Sequence, residues 1–130
     1  MRSRALTLLL FTLFVNRTSA AVDIVNVGVD ASLGFEIQGN FVAIRTSEAR
    51  SGGIDLNGDG DTADFVLQVF DWSTGLVRNT GLEASGGFRM AGRYVAFTVL
   101  ESRQGGLDLN GDGDAADLVQ HVYDAETGVA

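Results

Sequence analysis

The segment Asp55-Leu56-Asn57-Gly58-Asp59-Gly60-Asp61-Thr62-Ala63-Asp64 runs directly into Phe65-Val66-Leu67-Gln68-Val69-Phe70-Asp71. Nearly the same string returns as Asp108-Leu109-Asn110-Gly111-Asp112-Gly113-Asp114-Ala115-Ala116-Asp117, followed by Leu118-Val119-Gln120-His121-Val122-Tyr123-Asp124. In both places an acidic, glycine-bearing loop opens into a run of β-branched and aromatic residues, the composition of a strand. The copies lie 53 residues apart, so the chain is built on an internal repeat.

Working outward, Gly39–Gly75 aligns with Gly92–Gly128 at 21 of 37 positions. Each unit reads as short strands joined by turns. In the first unit these are Phe35–Gln38, Phe41–Thr46, Phe65–Phe70 and Leu76–Thr80, with Gly39-Asn40 as a two-residue hairpin and Asp71–Gly75 as a turn. No helical period is sustained. The third strand is apolar at successive positions, which predicts cover on both of its faces. The expected fold is all-β: two tandem four-stranded antiparallel units of 53 residues, arranged like β-propeller blades, with a β-sandwich as the alternative. Unit one spans about 22–74 and unit two about 75–130, the second lacking its last strand. Val22–Asn26 aligns with Gly75–Asn79, so the domain opens on an outer strand. Propellers close with about four to eight blades. Two units therefore imply a piece of a longer protein or a subunit of an assembly, and the stop soon after Gly128 favours the first.

The loop chemistry points to a hard cation. Asp55, Asp59, Asp61 and Asp64 crowd four carboxylates into ten residues without a cation among them, and Asp108, Asp112, Asp114 and Asp117 do the same. Like charges this close disfavour ionisation. Calcium relieves that by taking carboxylate, amide and backbone oxygens. The side chains of Asp55, Asn57 and Asp59 alternate along a tight turn and can aim at one centre, as can Asp108, Asn110 and Asp112. The loops offer neither sulfur nor imidazole, which disfavours zinc and copper, and magnesium prefers a stiffer octahedral site. The predicted calcium ligands are Asp55, Asn57, Asp59, Asp61 and Asp64, and Asp108, Asn110, Asp112, Asp114 and Asp117. The competing reading is a plain acidic turn, since Asp, Asn and Gly are turn residues. It accounts poorly for four Asp at matched positions in both copies.

The strings DLNGDGDTADFVLQVFD and DLNGDGDAADLVQHVYD resemble the calcium-bearing repeats of integrin-type, FG-GAP propellers. That resemblance covers Asp55, Asn57, Asp59 and Gly60, and Asp108, Asn110, Asp112 and Gly113. It implies a calcium loop ahead of a blade strand. The last acid departs from the family pattern: Asp64 and Asp117 stand one position later than the family's final ligand. An EF-hand or dockerin loop fits less well, because Val66 and Val119 occupy the place of its final acid.

The N-terminus reads separately. Arg2 and Arg4 precede an apolar run, Ala5 to Val15, and small residues follow at Thr18 to Ala21. This is the pattern of a secretory signal peptide over residues 1–20, with a retained anchor as the alternative. The chain would then be secreted, extracellular or periplasmic, with no membrane span after processing. Beyond residue 20, six Arg face 17 Asp and Glu, and Lys and Cys are absent. That surface excludes the basic footprint of a nucleic-acid binder and any disulfide framework.

Other candidates carry less. His121 aligns with Gln68, so the unit does not require an imidazole. Glu48 and Glu101 recur seven residues before each loop, with Arg50 and Arg103 nearby; the two readings are an outer ligand to the loop's ion or an ion pair, and the favoured one is an exposed ion pair. No nucleophile–base pair or phosphate loop is present. The expectation is a non-enzymatic, secreted, calcium-binding β-repeat module with a scaffold or adhesion role. Its partners would be calcium, a protein or carbohydrate ligand, and other copies through blade edges. The alternative is a fragment of a secreted propeller hydrolase or lyase whose active site lies in other blades.

Overall fold

The computed structural model describes residues 24–130, so the predicted signal peptide lies outside the described residues. Seven strands follow in order: β1 (Phe35–Gln38), β2 (Phe41–Ser47), β3 (Phe65–Asp71), β4 (Leu76–Glu83), β5 (Phe88–Ala91), β6 (Tyr94–Leu100) and β7 (Leu118–Asp124). A 3-10 turn at Glu101–Arg103 follows β6. The strands form two antiparallel sheets, β1-β2-β3-β4 and β5-β6-β7, and neither closes on itself. The architecture is all-β and sandwich-like; β4 (Leu76–Glu83) completes the first sheet, so the sheets divide after residue 83 and not at residue 75.

Sequence chemistry explains the hairpins. Gly39 and Gly92 sit at φ of 55° and 60° between β1 and β2 and between β5 and β6. That left-handed backbone lets two residues reverse the chain. The acidic loop joins β2 to β3 in the first sheet and β6 to β7 in the second. β4 runs on to Glu83, past the expected end at Thr80, because its ladder to β3 resumes after a bulge at Val66/Gln68.

Residues opposite each other in an antiparallel ladder share a face, so the register identifies what each face carries. Ala43, Leu67 and Val69 of the first sheet and Phe88, Met90, Val95, Phe97, Val99 and Tyr123 of the second form one core cluster. The sheets therefore pack face to face, as apolar faces must to leave water. In repeat numbering, Ala43, Leu67 and Val69 correspond to Ala96, Gln120 and Val122, which lie on the face of the second sheet turned away from that core. The units stack head to tail, with one face of unit one against the opposite kind of face of unit two.

The expectation of cover on both faces holds for β3, buried from Val66 to Asp71. β7, its counterpart in the second unit, instead alternates exposed and part-buried residues up to Tyr123. β3 is an inner strand of a sheet whose face meets a second sheet, whereas β7 ends a sheet with one face open.

Candidate metal centre

Each acidic loop is held from below by a buried carboxylate. Glu48 follows β2 and is fully buried. Its Oε1 accepts the backbone N–H of Leu56 at 2.6 Å and its Oε2 that of Asp64 at 3.0 Å. Glu101 repeats the arrangement with Leu109 at 2.6 Å and Asp117 at 3.0 Å. The expectation of exposed Glu–Arg pairs is thus overturned. A carboxylate can leave water when several donors meet it, and the loop backbone supplies them. Arg50 turns instead to the Ser32 hydroxyl. The signal in the sequence was the recurrence of Glu at one fixed distance ahead of both loops.

Within the first loop, side-chain oxygens accept backbone N–H groups in sequence. Asp55 takes Gly58 at 2.6 Å and Gly60 at 3.0 Å, Asn57 takes Asp59 at 3.3 Å, Asp59 takes Asp61 at 3.0 Å, and Asp61 takes Ala63 at 2.7 Å. Gly58 and Gly60, at φ of 80° and 98°, let the backbone fold tightly enough to do so. The second loop repeats the set, with Asp108 accepting from Gly111 and Gly113, Asn110 from Asp112, Asp112 from Asp114, and Asp114 from Ala116.

Two carboxylate trios result. Glu48, Asp61 and Asp64 each place one oxygen within 4.8 Å of the others, and Glu101, Asp114 and Asp117 do likewise. Both trios could hold a metal ion. Among the predicted ligands, the fold brings Asp61 and Asp64, and Asp114 and Asp117, into these trios. Asp55 and Asp108 cap the loop turn instead. Asn57 lies beside Asp64, its Nδ2 donating to Oδ2 at 3.4 Å, and Asn110 donates to Asp117 at 3.1 Å. Asp59 and Asp112 flank the same final acids.

Electrostatics record the crowding. Burial, with Asp59 and Asp61 adding to it, pushes the Asp64 carboxyl up to about 7. The neighbouring Asp112 raises Asp117. Asp59 and Asp112 fall below the ordinary carboxylate value because the backbone N–H of Asp61 and of Asp114 stabilises their charge. Carboxyls that resist ionisation beside others that favour it form a site in which a divalent cation can replace shared protons.

The two centres differ in their surroundings. The first is roofed by the turn after β6: Asn57 Nδ2 donates to the Arg103 carbonyl at 3.0 Å, and the Arg103 guanidinium stands 4.0 Å from Asp64. The second has no equivalent cover among the described residues, so Asp64 is buried while Asp117 is only partly so. No helix among the described residues is long and apolar enough to cross a membrane. Comparison with protein-family models, curated proteins and solved structures found no match.

Proposed function

We propose that this chain is a secreted, calcium-binding β-repeat module with a scaffold or adhesion role. The observation that carries the reading is the paired trio: Glu48, Asp61 and Asp64 converge in unit one, and Glu101, Asp114 and Asp117 in unit two. The oxygen-only donor set favours calcium, with magnesium as the weaker competitor. The ion would fix the long β2–β3 and β6–β7 connections, whose turn conformation the loop side chains already support. Each loop would then present a rigid rim to a protein or carbohydrate ligand. The FG-GAP resemblance of the loops points the same way.

The test is calcium and magnesium titration by calorimetry, with thermal melts in calcium and in chelator. Extracellular calcium modules bind with dissociation constants of about 10⁻⁴–10⁻³ M. The expected result is two calcium events in that range or tighter, with magnesium weaker. Saturation at one hundred times the dissociation constant would add about 2.7 kcal/mol per site to folding stability. Absence of binding at millimolar calcium overturns the proposal.

A further inference from the structure

Arg103 stands between two carboxylates that belong to the opposite sheet. It lies in the turn after β6, yet its Nε is 4.0 Å from Asp64 in loop one and its Nη1 is 3.9 Å from Glu83 at the end of β4. The guanidinium is within ion-pair reach of both acids and too far to donate a hydrogen bond to either. The two acid side chains are only 6% and 0% exposed, so salt and water screen these attractions weakly. Each acid also has other partners. Glu83 accepts the Ser85 hydroxyl at 2.7 Å and the Leu100 N–H at 3.0 Å, and Arg45 on β2 both attracts it and repels Arg103. Asp64 accepts the Asn57 Nδ2 at 3.4 Å and lies beside Asp59 and Asp61.

The repeat shows how far this side chain can travel. Arg50 is the counterpart of Arg103, and Asp30 and Ser32 are the counterparts of Glu83 and Ser85. Arg50 closes a 2.5 Å hydrogen bond onto the Ser32 hydroxyl, which in turn donates to Asp30. An arginine at this place in the unit can therefore close fully onto the acid–serine pair, and Arg103 stops short of it with Asp64 on its other side. The backbone beneath is fixed separately. The Arg103 carbonyl accepts the Asn57 Nδ2 at 3.0 Å, and a Cβ on Gly105 would lie 3.5 Å from the Asp59 Cβ, so the turn rests directly on loop one. The charged end of Arg103 is the part that can shift.

We infer that Arg103 is a resident counter-charge that regulates the ion affinity of loop one, and that Glu83 is the acceptor toward which it withdraws. This rests on the reading of loop one as a calcium site. Without an ion, the guanidinium balances Asp64. A divalent ion held by Glu48, Asp61 and Asp64 repels it, and the side chain moves toward Glu83. The ion thus binds against a positive charge that it must displace. Affinity at an oxygen site follows the charge of its ligands, so Arg103 holds loop one weaker than its three carboxylates alone would be. Glu83 sets how readily that charge gives way.

The test is calorimetric calcium titration of the full chain carrying Asp114→Asn with Asp117→Asn, which silences loop two and isolates loop one. On that parent, Arg103→Gln should tighten calcium binding about tenfold, the order expected when a unit charge about 4 Å from a ligand is removed. Arg103→Lys keeps the charge and should restore most of the parent's weaker affinity. Glu83→Gln removes the acceptor and should weaken binding. Added to Arg103→Gln, it should change little, because the charge it steers is gone. A purely structural roof predicts looser binding for Arg103→Gln, and unchanged or looser binding there overturns the inference. So does an Arg103→Lys chain as tight as Arg103→Gln. An undiminished Glu83→Gln effect in the double variant overturns the part assigned to Glu83. If Glu83→Gln does not fold, the two Arg103 variants decide alone. In each of these outcomes the parent still binds calcium, so the calcium reading stands; a parent and a wild-type chain that bind none overturn both.

Discussion

At the scale of single residues, the loops turn on Glu48 and Glu101. A buried carboxylate is tolerable when donors surround it, and the backbone N–H groups of Leu56 and Asp64 do this for Glu48. Glu48→Gln keeps the size but replaces one acceptor oxygen with a donor, leaving one of those N–H groups facing an NH₂. The expected cost is about 1–3 kcal/mol, read by thermal melts in chelator. Calorimetry should lose the first calcium event and keep the second. Asp64 supplies a pH signature. Its carboxyl ordinarily titrates at 3.8 and is raised to about 7 in the folded chain. A raised folded-state value means that the protonated form stabilises the fold. In chelator this contribution is complete below pH 3.8 and disappears as pH rises through about 7. In calcium the dependence reverses, since binding must displace that proton and weakens as pH falls below about 7. Melts across that window, with calcium and with chelator, should have opposite slopes from this group.

At the scale of elements, the turn after β6 makes loop one part of the joint between the sheets. Gln104 is the link: its Oε1 accepts the Glu83 N–H at 2.7 Å, and its Nε2 donates to the Gly81 carbonyl at 3.0 Å and reaches the Asn57 carbonyl at 3.4 Å. Gln104→Ala strands a buried N–H and a carbonyl, and the expected loss of stability is about 2–4 kcal/mol. The same substitution should weaken calcium at loop one and leave loop two unchanged, because loop two touches none of these groups. Separate affinities from calorimetry of the variant check this; equal weakening of both sites would count against the link. The strands themselves were legible beforehand, since β-branched and aromatic runs between Gly and Asp turns mark β2, β3, β6 and β7. The buried role of Glu48 was not. Its recurrence was visible, but nothing in a linear reading tells whether a glutamate faces water or a loop backbone.

At the scale of the whole molecule, the stabilising core belongs to both units. Leu67 and Val69 of the first sheet and Val95, Phe97 and Val99 of the second are all at most 1% exposed in one cluster. Burying such side chains contributes roughly 1.5–3 kcal/mol each, which the two sheets secure by facing each other and the loops do not supply. The sequence by itself determined the repeat, its all-β character and the two acidic loops, because turn chemistry and strand composition are local properties. It did not say how far β3 and β7 would be enclosed, although Gln120 in β7 stands where β3 carries the buried Leu67. Only the tertiary structure decided that, among the described residues, β3 is enclosed while β7 is half-exposed, and that Asp64 is roofed while Asp117 is not. The physical reason is that burial depends on the neighbour. Each face of a sheet is covered or bare according to what stacks on it, and head-to-tail stacking gives two equivalent units unequal surroundings.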